Sequence, residues 1–281
     1  MRTTAPLQPE DITNVKEKAR YIRRRIIEST TSAGSGHPGG SLSCADIMSL
    51  MYFHVLQLDP GNPDWPDRDR FVLAKGHAAP ALYAALAGRG FLPEEELQSL
   101  RKMGSMLQGH PDAQRTPGVE ASTGSLGQGL SVAVGMALGG KLDGRDAGVY
   151  VLVGDGELQE GQVWEAAMAA AHYELDNLIA FVDYNRLQID GCLCSVMNVA
   201  PLAEKWRAFG WNVWQVAGHD VLALDEAVRQ AQRADGPSVL IADTVKGRGV
   251  SFMENQASWH GRAPSEEEAR RALDEIEGRG A

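Results

Sequence analysis

Asp155 sits in Gly154-Asp155-Gly156, directly after the apolar run Val149 to Val153; thirty positions on, a second apolar run, Leu178 to Val182, ends in Asp183-Tyr184-Asn185. A carboxylate and a carboxamide are hard oxygen donors suited to Mg²⁺ or Ca²⁺, and Mg²⁺ commonly completes its shell with phosphate oxygens. Two parallel strands joined by one crossover helix would bring both side chains to neighbouring C-terminal strand ends, where doubly wound sheets bind ligands. The pair therefore reads as a holder for a metal and a diphosphate. Gly-Asp-Gly alone is an ordinary turn; the asparagine at the end of the next strand turns it into a signal.

Five of the seven histidines adjoin glycine: His37, His77, His110, His219 and His260. Glycine lets a backbone approach a ligand closely, a context unlike that of a core histidine. His54 and His172 fall on helical patterns and read as structural, and His219 reads as ordering the turn before a helix. His37, His77, His110 and His260 remain as candidates for chemistry. Gly124-Ser125-Leu126-Gly127-Gln128-Gly129 leads into an apolar helix and can offer backbone N–H groups to an anion. Similar loops also occur wherever a tight turn meets a packed helix.

The elements that must position these residues follow from periodicity and punctuation. Helices are expected at Glu10 to Ser32, Ser43 to Leu56, Pro80 to Leu86, Pro93 to Leu100, Leu130 to Gly140, Gln159 to His172, Pro201 to Phe209, Leu222 to Arg233 and Ser265 to Ile276. Strands are expected at Phe71 to Leu73, Val149 to Val153, Leu178 to Val182, Asn212 to Val216 and Ser238 to Ala242. The stretch from Gly104 to Gly129 is loop-like. Such alternation implies an α/β fold with a mostly parallel sheet and helices on both faces.

With 281 residues and 43% apolar content, the chain is expected to form one domain spanning residues 1–281. Its 27 basic against 37 acidic residues give a formal charge of −10, which argues against nucleic acid as a partner. A diphosphate must then be neutralised locally, by a metal or by helix N-termini. Cys44, Cys192 and Cys194 offer neither a zinc spacing nor a disulfide framework. No apolar stretch is long enough to span a membrane, and no signal peptide is evident, so a reducing cytoplasm is expected.

The motifs together resemble the N-terminal, thiamine diphosphate-binding half of a transketolase. The likeness runs through Ser35-Gly36-His37-Pro38-Gly39-Gly40, Lys75-Gly76-His77, Gly109-His110-Pro111, Thr123 to Gly129, Gly154 to Gly161, Asp183 to Gly191 and Trp259-His260-Gly261. It implies the thiamine diphosphate-binding fold, with Asp155, Asn185 and the Leu187 carbonyl as ligands of Mg²⁺, Ca²⁺ or Mn²⁺. It implies that Gly154 and Gly156 with Asn185 and His77 line the diphosphate, that Gly124, Ser125 and Leu126 border the aminopyrimidine or its linker, that Ile189 lies near the thiazolium, and that Glu160 lies at the subunit contact. His37, His77, His110 and His260 would surround the cofactor's reactive carbon and the substrate. There they could stabilise developing charge and shuttle protons, because histidine ordinarily titrates near neutrality. Tyr184 departs from the acidic residue or asparagine often found before the metal-binding asparagine, but Asn185 itself matches.

Full-length transketolases are roughly twice as long and carry a pyrimidine-binding domain after this one. No second α/β unit is expected after Ala242. The resemblance thus implies one subunit of a split transketolase, paired with a separate chain in an α2β2 assembly, that transfers a ketol group between sugar phosphates. Three other readings stand beside it: a split transketolase for a modified or branched ketose phosphate, an enzyme like 1-deoxyxylulose-5-phosphate synthase, and a non-catalytic cofactor-binding regulatory subunit.

Overall fold

Every apolar run assigned above to a strand forms one. In the computed structural model, which describes residue 1 and residues 3–279, these strands are β1 (Arg70–Leu73), β2 (Val149–Gly154), β3 (Leu178–Tyr184), β6 (Asn212–Ala217) and β7 (Ser238–Asp243), with a small hairpin of β4 (Leu187–Gln188) and β5 (Gly191–Cys192) between them. Residues 2, 280 and 281 of the expected 1–281 unit lie outside the described residues. The five long strands are parallel in the order β1-β2-β3-β7-β6. All of β2 and nearly all of β3 is buried, as a parallel sheet covered on both faces requires, and this is why those strands read as continuous apolar runs.

Ten α-helices accompany the sheet among the described residues: α1 (Pro9–Ala33), α2 (Pro38–Ser43), α3 (Ala45–Leu50), α4 (Ala79–Arg89), α5 (Gln128–Leu142), α6 (Gly161–His172), α7 (Leu193–Val196), α8 (Leu202–Ala208), α9 (Val221–Ala231) and α10 (Glu266–Ile276). Side chains alternate across each strand. Phe71, Leu73, Tyr150, Leu152, Ile179, Phe181 and Leu240 pack with α1, α3, α4, α9 and α10 on one face. Val72, Val151, Val153, Ala180, Val182 and Ile241 pack with α5, α6 and α8 on the other.

Two expected helices differ. Ser43 to Leu56 is not one rod: α2 ends at Ser43, α3 follows after Cys44, and Met51–Val55 form a single π turn. The break comes where the Ser43 hydroxyl donates to Asp183 Oδ2 at 2.5 Å, drawing α2 toward the strand ends. Pro93 to Leu100 forms only a 3₁₀ segment, Glu94–Ser99, whose three leading glutamates and single buried residue, Leu97, give it little apolar face with which to hold a longer helix.

The cysteines also require a correction. Cys192 and Cys194 are joined as a disulfide, with Cα atoms 5.3 Å apart at the junction of β5 and α7, a separation within disulfide reach. Spacing of two in sequence gave no sign of it, because only the local turn brings the two Cβ atoms together. Cys44 is buried and free.

Candidate functional site

The C-terminal ends of β1, β2, β3 and β7 meet in one place. Gly154 lies opposite Asp183 in the parallel register of β2 and β3, with α6 as the crossover. Asp155 and Asn185 therefore emerge from adjacent strand ends. The Asp155 carboxylate accepts the N–H of Gly156 at 2.8 Å and the N–H of Arg186, the residue after Asn185. The Asn185 amide is held at both ends: Nδ2 donates to Asp183 Oδ2 at 3.2 Å, and Oδ1 accepts the N–H of Leu187 at 3.1 Å. Asp155, buried, has its pKa pushed up to about 7 by desolvation and then by the Asp183 charge. A carboxylate so penalised is one that a bound cation would relieve.

Beneath these groups lies a buried ion pair. Lys75 Nζ bonds Asp183 Oδ2 and donates to the Gly40 carbonyl at 2.7 Å, and Asp183 also accepts from Ser43 and Thr244. Burial works against both charges. The attraction of each for the other prevails, holding the Asp183 carboxyl below and the Lys75 ammonium above its usual range. A second cation, Lys246, follows β7: its Nζ donates to the Leu187 carbonyl at 3.1 Å and to His260 Nδ1 at 3.0 Å. Burial, with Lys75 nearby, lowers its pKa to about 8.

Glu157 joins the two loops that border the pocket. Its buried carboxylate accepts the N–H of Gly127 at 2.9 Å and of Gly154 at 3.0 Å, tying the turn before α5 to the turn after β2. Gly124, at φ 132°, packs so that a Cβ would stand 2.9 Å from the His110 ring. No other residue fits there without moving that ring.

His37, His77 and His260 form a triangle with ring centroids 5.1 to 5.5 Å apart, and His110 lies 6.3 Å from His37. Burial depresses the pKa of all four, to about 4 for His37 and about 3 for His260. Arg101 adds to this at His37 and His110, and Lys246 at His260. The expectation of groups titrating near neutrality is thus corrected: these are neutral imidazoles at pH 7, because burial among cations penalises the imidazolium. Their tautomers follow from their neighbours. Lys246 and Arg101 can only donate, so His260 Nδ1 and His37 Nδ1, which face them at 3.0 and 3.4 Å, carry lone pairs, and each ring bears its proton on Nε2.

A pocket of about 200 Å³ gathers His77, Leu126, Gly154, Asp155, Gly156, Glu160, Asn185, Leu187, Ile189 and His260. Of the other expected site residues, His37 and His110 adjoin it through the histidine cluster, Gly124 packs on His110, and Ser125 is an exposed loop residue outside its lining. Lys75, Glu157 and Asp183 fall within the motifs quoted above but had no role of their own there, and Lys246 and Arg101 lie outside those motifs. Lys246, in Thr244-Val245-Lys246-Gly247, carried the same signal as Asp155, a polar residue beside glycine just after a buried strand. Arg101 carried none: its left-handed φ of 61° and its reach to Ser35 and His37 come from tertiary structure.

Residues 14–277 match the transketolase thiamine diphosphate-binding domain. The chain belongs to this family. Relatives include the 6-deoxy-6-sulfo-D-fructose transketolase subunit SqwG of Clostridium sp. strain MSTE9, 47% identical over 95% of this chain and 98% of that protein. An apulose-4-phosphate transketolase subunit of Phocaeicola vulgatus is 43% identical over 90% of each chain. The crystal structure of transketolase from Campylobacter jejuni subsp. jejuni NCTC 11168 superposes with a TM-score of 0.89 at 33% identity, covering 96% of this chain and 43% of that one. This transketolase-family chain thus spans about two fifths of that solved enzyme. Its fold is the α/β thiamine diphosphate-binding fold, and no helix among its described residues is long and apolar enough to cross a membrane.

Proposed function

We propose that this chain is the cofactor-binding subunit of a split transketolase, which moves a two-carbon ketol group from a ketose phosphate to an aldose phosphate together with a separate pyrimidine-binding chain. The observation that carries the reading is size as well as likeness: two proteins named as transketolase subunits are matched over 98% and 90% of their own length. Neither the synthase-like nor the non-catalytic reading has comparable support. A second reading, a split transketolase for a modified or branched ketose phosphate, draws on one relative named for apulose 4-phosphate, while another is named for a sulfonated fructose that carries no phosphate.

The site fits thiamine diphosphate and a divalent ion. Asp155, the Asn185 amide oxygen and the Leu187 carbonyl, gathered in one pocket, would hold the ion. Three hard oxygens suit Mg²⁺, Ca²⁺ or Mn²⁺ and leave coordination positions for phosphate oxygens. His77, Gly154, Gly156 and Asn185 line the diphosphate, and Lys246, which has no carboxylate bonded to it among the described residues, supplies positive charge locally in a chain of net charge −10. Gly124, Ser125 and Leu126 border the pyrimidine side, Ile189 the thiazolium side, and Glu160 the partner chain. Ile189 is 68% exposed, as an apolar group awaiting a cofactor or a partner would be.

When bound, thiamine diphosphate supplies a nucleophilic carbon that takes up and releases the ketol fragment. This chain's residues prepare the surroundings. His37 and His260, whose Nδ1 atoms face Arg101 and Lys246, keep Nε2–H groups able to donate to a substrate oxygen on which negative charge develops. Being neutral, each ring donates without a charge of its own, and its Nδ1 lone pair is already taken by Arg101 or Lys246, so its part is to donate at Nε2. Residues 1–281 act as a single diphosphate-binding domain in an α2β2 assembly in the cytoplasm, where the Cys192–Cys194 pair would be reduced.

The test is reconstitution. Purified alone, the chain should show negligible ketol transfer with thiamine diphosphate and Mg²⁺, and addition of the cognate pyrimidine-binding chain should restore it. Full activity from the single chain would overturn the two-chain reading.

A further inference from the structure

Away from the pocket, three polar side chains, of which Asp46 is buried and Arg23 and His219 are half-buried, form a chain that none of the roles above uses. Arg23 on α1 bonds Asp46 on α3, and His219, in the turn between β6 and α9, meets Asp46 Oδ2 through Nδ1 at 2.6 Å. On its far side His219 Nε2 accepts the N–H of Val245 at 2.9 Å. A backbone N–H can only donate, so Nε2 holds the lone pair and Nδ1 carries the proton that is given to Asp46. Asp46, fixed by Arg23, thereby fixes the tautomer and the orientation of the imidazole.

The peptide grasped by His219 lies between two residues of the cofactor site. Thr244 hydroxyl donates to Asp183, and Lys246 reaches the Leu187 carbonyl and His260. It is also where the β7 ladder runs out: Thr244 N–H still reaches the Tyr184 carbonyl, at 3.3 Å, and Gly247 N–H has turned away to the Gly39 carbonyl at 3.0 Å. Between them the Val245 N–H has the imidazole as its partner. Removing that acceptor leaves a partly enclosed donor without one and frees the peptide that aims Lys246.

We propose that His219, oriented by Asp46, is a positioning residue that sets the Thr244-Val245-Lys246 peptide and, through it, the Lys246 ammonium against the Leu187 carbonyl and His260. The inference rests on the reading of this pocket as the diphosphate site. It acts at a distance: His219 does not line the pocket, and its effect passes through one backbone hydrogen bond.

Hydrogen exchange in the cofactor-free chain gives the first readout. His219→Phe, which keeps a ring but no acceptor, should speed exchange of the Val245 amide about tenfold or more, whereas His219→Gln, whose amide oxygen can reach the same N–H, should stay within about threefold of the unsubstituted chain. Should the phenyl ring prevent folding, His219→Ala removes the acceptor without added bulk. The second readout is thiamine diphosphate affinity in excess Mg²⁺: His219→Phe should weaken it about tenfold, and that penalty should vanish in a Lys246→Met background. A merely structural histidine would cost the same in both backgrounds, and that result, or unchanged Val245 exchange, would overturn the proposal. If the unsubstituted chain fails to bind the cofactor, the reading of the pocket fails, while the exchange experiment still decides the role of His219.

Discussion

Asn185 Nδ2 donates to Asp183 Oδ2 at 3.2 Å, so a buried charge decides which way the amide points. Had the amide been reversed, its oxygen would face a carboxylate and its nitrogen would meet the Leu187 N–H that Oδ1 now accepts at 3.1 Å. The amide's orientation is therefore set by the ion pair underneath and by the Leu187 N–H. Asp183 is in turn anchored by Lys75, Ser43 and Thr244.

That arrangement makes Asp183 a stability residue as well as a site residue. Asp183→Asn leaves the buried Lys75 ammonium without a counter-charge and should cost about 3–5 kcal/mol, measured by urea unfolding at pH 7. A loss under about 1 kcal/mol would show that the network is not needed to keep Lys75 buried.

The strands were legible because β2 and β3 are buried on both faces and so carry uninterrupted apolar runs, and the thirty-residue spacing then located Asp155 beside Asn185 from sequence alone. What stayed hidden was tertiary. Asp183 was noted only as the neighbour of Asn185, because nothing in a sequence distinguishes an acid that binds from one that orients. The α2–α3 break depends on Ser43 finding Asp183, 140 residues away. The histidines were found from their glycine neighbours, but their depressed pKa values depend first on burial in the folded chain and then on Arg101 and Lys246 arriving from other loops.

The histidine cluster gives a pH dependence with a definite sign. In the folded chain His37 and His260 titrate at about 4 and about 3, against about 6.5 when unfolded. Between those values the unfolded chain binds the protons that the folded cluster refuses, so this contribution is fully present above about pH 6.5 and is lost as pH falls through about 4 for His37 and about 3 for His260. Urea midpoints at pH 7.5 and pH 5 should fall less for His37→Asn/His260→Asn than for the unsubstituted chain. Equal losses would mean that the two rings are already free to protonate.

Gly124→Ala tests how closely the loop must approach. A Cβ there stands 2.9 Å from His110 at a φ of 132°, so the ring or the loop must shift, at a cost of about 1–3 kcal/mol. In the reconstituted enzyme, turnover should fall by roughly tenfold or more, as displacement of a catalytic group does. Wild-type turnover from the alanine variant would remove His110 from the reacting centre.

Cofactor titration of an Asp155→Ala chain bears most directly on the central claim, that Asp155 and Asn185 jointly hold a divalent ion which tethers a diphosphate. In calorimetry the unsubstituted chain should bind thiamine diphosphate with Mg²⁺ and lose most of that affinity when EDTA is added. Asp155→Ala should bind at least about a hundredfold more weakly, keep a cooperative unfolding transition, and be indifferent to EDTA. An Asp155→Ala chain whose affinity and Mg²⁺ dependence match those of the unsubstituted chain would contradict it.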